Sequence, residues 1–128
     1  MERRRDPRFP IKLPLYYRID KEGGSEGRKH GRFWTKDVSI GGLRFETREG
    51  LEQGTHLIIE LNLPKKTFSD FLSQDPMHIK VRVAWVGVNH GKPKSFEVGT
   101  EFVELLERKQ KRIEECIQFF MREEEWDH

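Results

Sequence analysis

A small antiparallel β-barrel or sandwich with one helix at its C-terminal end is the fold class that the sequence predicts. Three observations lead to it. Several short segments alternate apolar and polar residues between clusters of turn formers. After Leu105 the apolar spacing lengthens from two to the three-and-four pattern of a helix. The chain, at 128 residues with 34% hydrophobic content, is long enough for one core and too short for a second folded domain.

The elements follow in order. Residues 11–19 carry Leu13, Leu15, Tyr17 and Ile19 on one side and read as a strand, with Pro10 and Pro14 near its start. Gly23, Gly24, Gly27 and Gly31 stand among charges over 21–31, which reads as a flexible connection; the spacing of a phosphate-binding P-loop is absent. Residues 32–38 form a second strand-like piece containing Phe33 and Trp34, and Ser39 to Gly42 form a turn. Leu43 to Thr47 alternates again. The next strand has the clearest pattern, with Leu57, Ile59, Leu61 and Leu63 facing one way, Glu60 and Asn62 the other, and an end at Pro64. Residues 65–76 read as a polar loop interrupted by Phe68, Phe71 and Leu72. A long strand over 77–88 places Val81, Val83 and Trp85 on one face. A turn at 89–93 then leads into Phe96, Val98, Thr100 and Phe102, which makes this pair a hairpin. Ile113, Cys116, Ile117 and Phe120 recur at helical spacing within a helix expected over 104–125. Trp34 and Trp85 are expected in the core, and Arg44, on the outward face of its strand, is expected to be solvated, with a ligand contact as the lesser alternative.

Charge narrows the function classes. The 24 Lys and Arg against 22 Asp and Glu leave a net charge of only +2, which argues against bulk binding of a nucleic-acid polymer. The distribution is uneven: four Arg lie within residues 1–8, whereas Glu123, Glu124, Glu125 and Asp127 crowd the tail, so a localised anion site is expected. No apolar run approaches a membrane span and the start of the chain lacks the apolar core of a signal peptide, so no membrane insertion and a cytoplasmic location are expected. Lone Cys116 cannot form an internal disulfide. The histidines (His30, His56, His78, His90, His128) are scattered without metal-binding spacing, and Ser39 has no histidine within its motif to act as a base. No metal, cofactor or catalytic residue is therefore assigned, and an enzyme is not expected.

Two motifs carry the chemistry. Arg4 and Arg8 form RxxxR, and Asp37, Ser39 and Gly42 form DxSxxG within Asp37-Val38-Ser39-Ile40-Gly41-Gly42. Each is weak alone, because Asp and Ser before Gly-Gly are ordinary turn formers and a basic arm is usually just solvated. Their order, with a strand between them and strands after, makes the chain resemble the PilZ domain family. Val81 to Val86 and Val98 to Leu105 look like that family's closing strands, so the likeness spans about residues 3–105.

The resemblance implies a six-stranded barrel over 11–105, preceded by a flexible arm at 1–10 carrying RxxxR and followed by a helix and acidic tail at 106–128 of the same domain. It implies a bacterial receptor for cyclic di-GMP, whose two phosphates and two guanine edges suit arginine forks. Arg4 and Arg8 would grip guanine edges and phosphates. Asp37 would accept from guanine N1 and N2, Ser39 would offer its hydroxyl to the guanine or to adjoining backbone, and Gly42, beside Gly41, would supply positive φ or room for the ligand. Arg3 and Arg5 flank the motif and would hold a second, intercalated ligand. The receptor would signal to a downstream protein. The helix, widened by Phe119 and Met121, is the face on which a partner or a homodimer would form. The alternative is a PilZ-like protein-interaction module that binds no nucleotide.

Overall fold

The computed structural model describes residues 7–20, 33–63, 76–91 and 93–126. The expectations for 21–31, for the loop at 65–75, for Arg3 to Arg5 and for the acidic side chains from Glu123 onward lie outside the described residues.

Six strands form among the described residues: β1 (Pro14–Ile19), β2 (Phe33–Val38), β3 (Leu43–Thr47), β4 (His56–Leu61), β5 (Met77–Asn89) and β6 (Ser95–Phe102). They close into an antiparallel barrel in the order β1-β2-β3-β6-β5-β4. One helix, α1 (Glu107–Trp126), follows. Closure depends on β1, which pairs with β4 from Leu15 opposite Leu61 to Ile19 opposite Leu57. Pro14 can open β1 because a strand's first residue need not donate to the ladder; its carbonyl accepts from the Asn62 amide at 3.0 Å. The alternating positions seen in the sequence fill the interior: Leu15, Tyr17, Phe45, Leu57, Ile59, Leu61, Val81, Val83 and Val98 are buried. Phe33, Tyr17 and Phe45 bring their rings together, with centroids 5.4 Å apart for Tyr17 and Phe33 and 5.3 Å for Tyr17 and Phe45. The buried Tyr17 hydroxyl bonds Thr47 and donates to the Glu49 carboxylate, and burial together with that carboxylate pushes its pKa upward.

Period-two reasoning fails at two bulges. On β2, Thr35 lies opposite Phe45 but Asp37 opposite Arg44, so Lys36 is the extra residue. Phe33 and Thr35 point inward, Trp34 points out and is 51% exposed, and beyond the bulge Asp37 and Val38 exchange the sides that simple alternation would give them. Trp34 is therefore not a core residue. On β5, Val83 lies opposite Thr100 and Trp85 opposite Gly99, so Trp85 leaves the face of Val81 and Val83. Its indole lies across Gly99, where an added Cβ would come within 2.2 Å of the ring. The expectation that Trp85 joins the core is corrected likewise: the extra residue turns it outward, onto a glycine that leaves the space.

The helix begins three residues later than the expected Glu104. Glu104 adopts φ 51°, a left-handed conformation no helix can include. The chain turns its corner there, and the Leu106 carbonyl then accepts from the Lys109 and Gln110 amides. Ile113, Cys116 and Ile117 are buried against the barrel, with Phe120 and Met121 partly buried on the same core. Met121 thus packs in part on the barrel core, while Phe119 meets Phe120 edge-on at 5.5 Å. Burial pushes the Cys116 thiol up to about 12, so it stays protonated at neutral pH.

Thr35 is the buried polar anchor of this arrangement. Its Oγ1 accepts from the Leu13 amide at 2.8 Å and donates to the Ile11 carbonyl at 2.6 Å, while its own amide donates to Leu13 O at 3.0 Å. Replacing Thr35 by Val keeps shape and strands both backbone groups without a partner. A loss of about 1–3 kcal/mol in urea unfolding is expected, with Thr35→Ser recovering much of it.

Candidate functional site

The arm meets the motif turn through backbone. Phe9 N donates to Val38 O at 3.0 Å and Val38 N to Phe9 O at 2.9 Å, an isolated antiparallel bridge. Phe9 is partly buried against the core, and its carbonyl also accepts from Ile11 N at 2.7 Å. The end of the arm that the structure describes is therefore fastened to β2 rather than loose. Because the bridge is antiparallel, Arg8 emerges opposite Ser39, one residue beyond the paired Val38. Arg8 is half-buried, and its Nη1 is buried with no hydrogen-bond partner among the described residues. A guanidinium donor in that state is costly unless something completes it.

Ser39 builds the turn. Its Oγ accepts from the Gly41 amide at 3.2 Å and the Gly42 amide at 3.1 Å and donates to the Gly42 carbonyl at 3.2 Å. A hydroxyl offers one donor and two lone pairs, so these bonds use all it has. The Ser39 amide closes the turn onto Gly42 O at 2.8 Å. Of the two uses expected for this hydroxyl, the structure displays the one toward adjoining backbone.

Gly42 has a packing reason of its own, and the expected positive φ is corrected. Its φ is not positive, since Gly54 is the one positive-φ glycine among the described residues. A Cβ at Gly42 would lie 2.0 Å from the Thr100 carbonyl oxygen of β6. The space the glycine frees is taken by the neighbouring strand. Thr100 adds to the same seam, its Oγ1 donating to Leu43 O at 2.8 Å, and Phe102 N donates to Gly41 O at 2.9 Å.

Asp37 is buried, and its Oδ2 lies 2.6 Å from Arg44 Nη2. Arg44 also reaches across to the Glu97 carboxylate on β6 through Nη1, and Lys36 Nζ stands 3.8 Å from Glu97. Arg44 is therefore half-buried between two carboxylates, and the expectation of a solvated side chain is corrected. The bulge at Lys36 is the cause, because it sets Asp37 on the outer face with Arg44. A signal for the pair existed in the sequence: a turn at 39–42 places Val38 against Leu43 and Asp37 against Arg44, an opposite-charge cross-strand pair. Glu97, 53 residues from Arg44, left no such signal.

The structure thus brings together Arg8, Asp37, Ser39, Gly41 and Gly42, and adds Arg44, Glu97 and, across Gly99, Trp85. Arg3, Arg4 and Arg5 lie outside the described residues. Groups of three or more histidine, cysteine or carboxylate side chains able to hold a metal do not occur among the described residues.

The model of the PilZ domain family matches residues 2–119, and the chain belongs to that family. Among solved structures, the chain resembles the PilZ domain of YcgR from Escherichia coli, determined with c-di-GMP, at 16% identity with a TM-score of 0.72, covering 98% of this chain and 97% of that one. It also resembles the MrkH–c-di-GMP complex of K. pneumonia (20% identity, TM-score 0.70, 100% of this chain and 57% of that one). A third similar structure is the Bacillus subtilis inhibitor of motility MotI/DgrA (18% identity, TM-score 0.66, 95% of this chain and 53% of that one). The chain thus spans just over half the length of the latter two. At such identities the likeness is one of fold. No curated protein matches the sequence.

The packing of Gly42 gives a direct check. Gly42→Ala must push β3 away from β6, and a loss of about 1–3 kcal/mol in stability is expected by chemical unfolding. If a left-handed φ were what the position needs, Gly42→Asn would be better tolerated than Gly42→Ala; the close carbonyl requires it to be worse.

Proposed function

We propose that the protein is a receptor for cyclic di-GMP, binding the dinucleotide where the arm crosses the β2–β3 turn. The observation that carries this reading is the bridge of Phe9 to Val38, which sets Arg8, with a buried guanidinium nitrogen left unpartnered among the described residues, beside Asp37 and Ser39. Membership of the PilZ family supports it, as does the presence of c-di-GMP in two of the similar structures.

In this reading Arg4 and Arg8 grip the guanine O6 and N7 edges and the phosphates with charge-assisted bonds, each worth roughly 1.5–3 kcal/mol. Asp37 accepts from N1 and N2 of a guanine. Ser39, Gly41 and Gly42 hold the turn that aims Asp37. Arg3 and Arg5 extend the basic arm toward a second, intercalated ligand. The protein acts in the cytoplasm as an adaptor and not as an enzyme, its ligand-dependent surface being read by a partner protein, with the Phe119 side of α1 as the face for that partner or for a second copy.

Calorimetric titration tests the site. Cyclic di-GMP is expected to bind in preference to GMP, GTP and cyclic GMP, because it alone presents two guanines and two phosphates to both motifs. Arg4→Ala and Arg8→Ala are each expected to cost roughly 2 kcal/mol, about thirtyfold in affinity, with little change in melting temperature. Unchanged binding in the double variant would overturn the assignment.

The face on α1 has its own check. Phe119→Glu is expected to alter sedimentation or capture of the partner while cyclic di-GMP affinity stays within about threefold, less than 1 kcal/mol. Loss of ligand binding in the folded variant would place the helix in the site instead.

A further inference from the structure

We propose that Arg44, steadied by Glu97, is a positioning residue for the ligand: it fixes the Asp37 carboxylate in the orientation that accepts a guanine edge. The inference deepens the reading of Asp37 above and rests on it, but it concerns residues outside both motifs.

The geometry comes first. Arg44 Nη2 lies 2.6 Å from Asp37 Oδ2, and Nη1 bonds Glu97 Oε1, so one planar guanidinium is held from both sides, by β2 and by β6. Its Nε is buried. With both terminal nitrogens already engaged by carboxylates, the fork of Arg44 is committed to Asp37 and Glu97, and its action on a ligand runs through Asp37. An arginine fork suits this task where lysine does not, because its donors keep fixed directions.

The chemistry follows from what a guanine demands. N1–H and the N2 amino group lie side by side, and a carboxylate accepts from both only when its two oxygens share their plane. A free aspartate must give up rotational freedom about two torsions to meet them. Pinned through one lone pair of Oδ2, Asp37 keeps Oδ1 and the remaining Oδ2 lone pair open and has already given up that freedom before the ligand arrives. Glu97 holds the far side of the guanidinium, so Arg44 cannot swing away from Asp37, and Lys36 Nζ, 3.8 Å from Glu97, offsets the second carboxylate's charge.

The test is a double-mutant cycle on the full chain, read by calorimetry with cyclic di-GMP and accompanied by melting curves. Arg44→Ala is expected to weaken binding about tenfold in the otherwise unchanged protein and to have no further effect once Asp37 is Ala, since its action runs through that carboxylate. Arg44→Lys should recover only part of the affinity at an unchanged melting temperature, because one ammonium cannot hold both carboxylates. Should Arg44→Ala bind as well as or better than the parent while Asp37→Ala binds poorly, the positioning role is wrong and the reading of Asp37 stands. A full Arg44→Ala penalty that persists beside Asp37→Ala would make Arg44 a ligand contact and overturn the proposal as well. If Asp37→Ala itself leaves binding intact, both fall. Should Arg44→Ala fail to fold, Glu97→Gln serves in its place: releasing Arg44 on one side is expected to weaken binding about threefold, and unaltered affinity would overturn the proposal.

Discussion

Within three residues of β2 the chain changes which side it shows to the core, and both halves of the molecule depend on that change. Thr35 faces inward and takes the Leu13 amide and the Ile11 carbonyl onto one hydroxyl, which fixes the segment leading from the arm into β1. Lys36 is then the extra residue of a bulge, and Asp37 faces outward against Arg44. A strand of unbroken period two would place Asp37 on the side of Phe33 and Thr35, inside the barrel, where an aspartate would face aromatic rings. The bulge turns what would be an unpaired charge in the apolar interior into one partner of an ion network on the barrel's outer face.

The same economy of contacts governs the turn that follows. Ser39 spends its entire hydrogen-bonding capacity on the turn's own backbone, and Gly42 gives up a side chain so that the Thr100 carbonyl of β6 can come close. These residues make the turn rigid and seat it on the barrel, while Arg8 and the Asp37–Arg44 pair supply charge at its rim. A spacing of Asp, Ser and Gly that reads as a ligand motif is therefore also a folding motif. The two descriptions are compatible, since a carboxylate is useful for recognition only if its backbone is held still.

Outward from this centre the pairing runs through β3 to β6 and then to β5, where a second bulge lays Trp85 across Gly99. Arg44 pairs directly with that glycine in the register. One outer row thus carries, in sequence across four strands, an acid, a base, a glycine and an indole. The two bulges flank the pair β3 and β6 and set this row on the outer side of the barrel wall.

What the sequence by itself determined was whatever depends on neighbours a few residues away. The alternation of Leu57, Ile59 and Leu61 marks a strand with one buried face, and Ile113, Cys116 and Ile117 mark a helix that buries one stripe. The RxxxR and DxSxxG spacings carry the resemblance to the PilZ family, and a turn at 39–42 by itself sets Asp37 against Arg44. Tertiary structure alone decided which face Trp34, Asp37 and Trp85 occupy, because a bulge shifts parity in response to the register of the opposite strand, which no local pattern encodes. It alone decided that Gly42 answers to Thr100 and that Arg44 is shared with Glu97, since both partners lie more than fifty residues away and come near only once the barrel closes. The left-handed turn at Glu104 belongs to the same class, since nothing local in a glutamate favours that conformation.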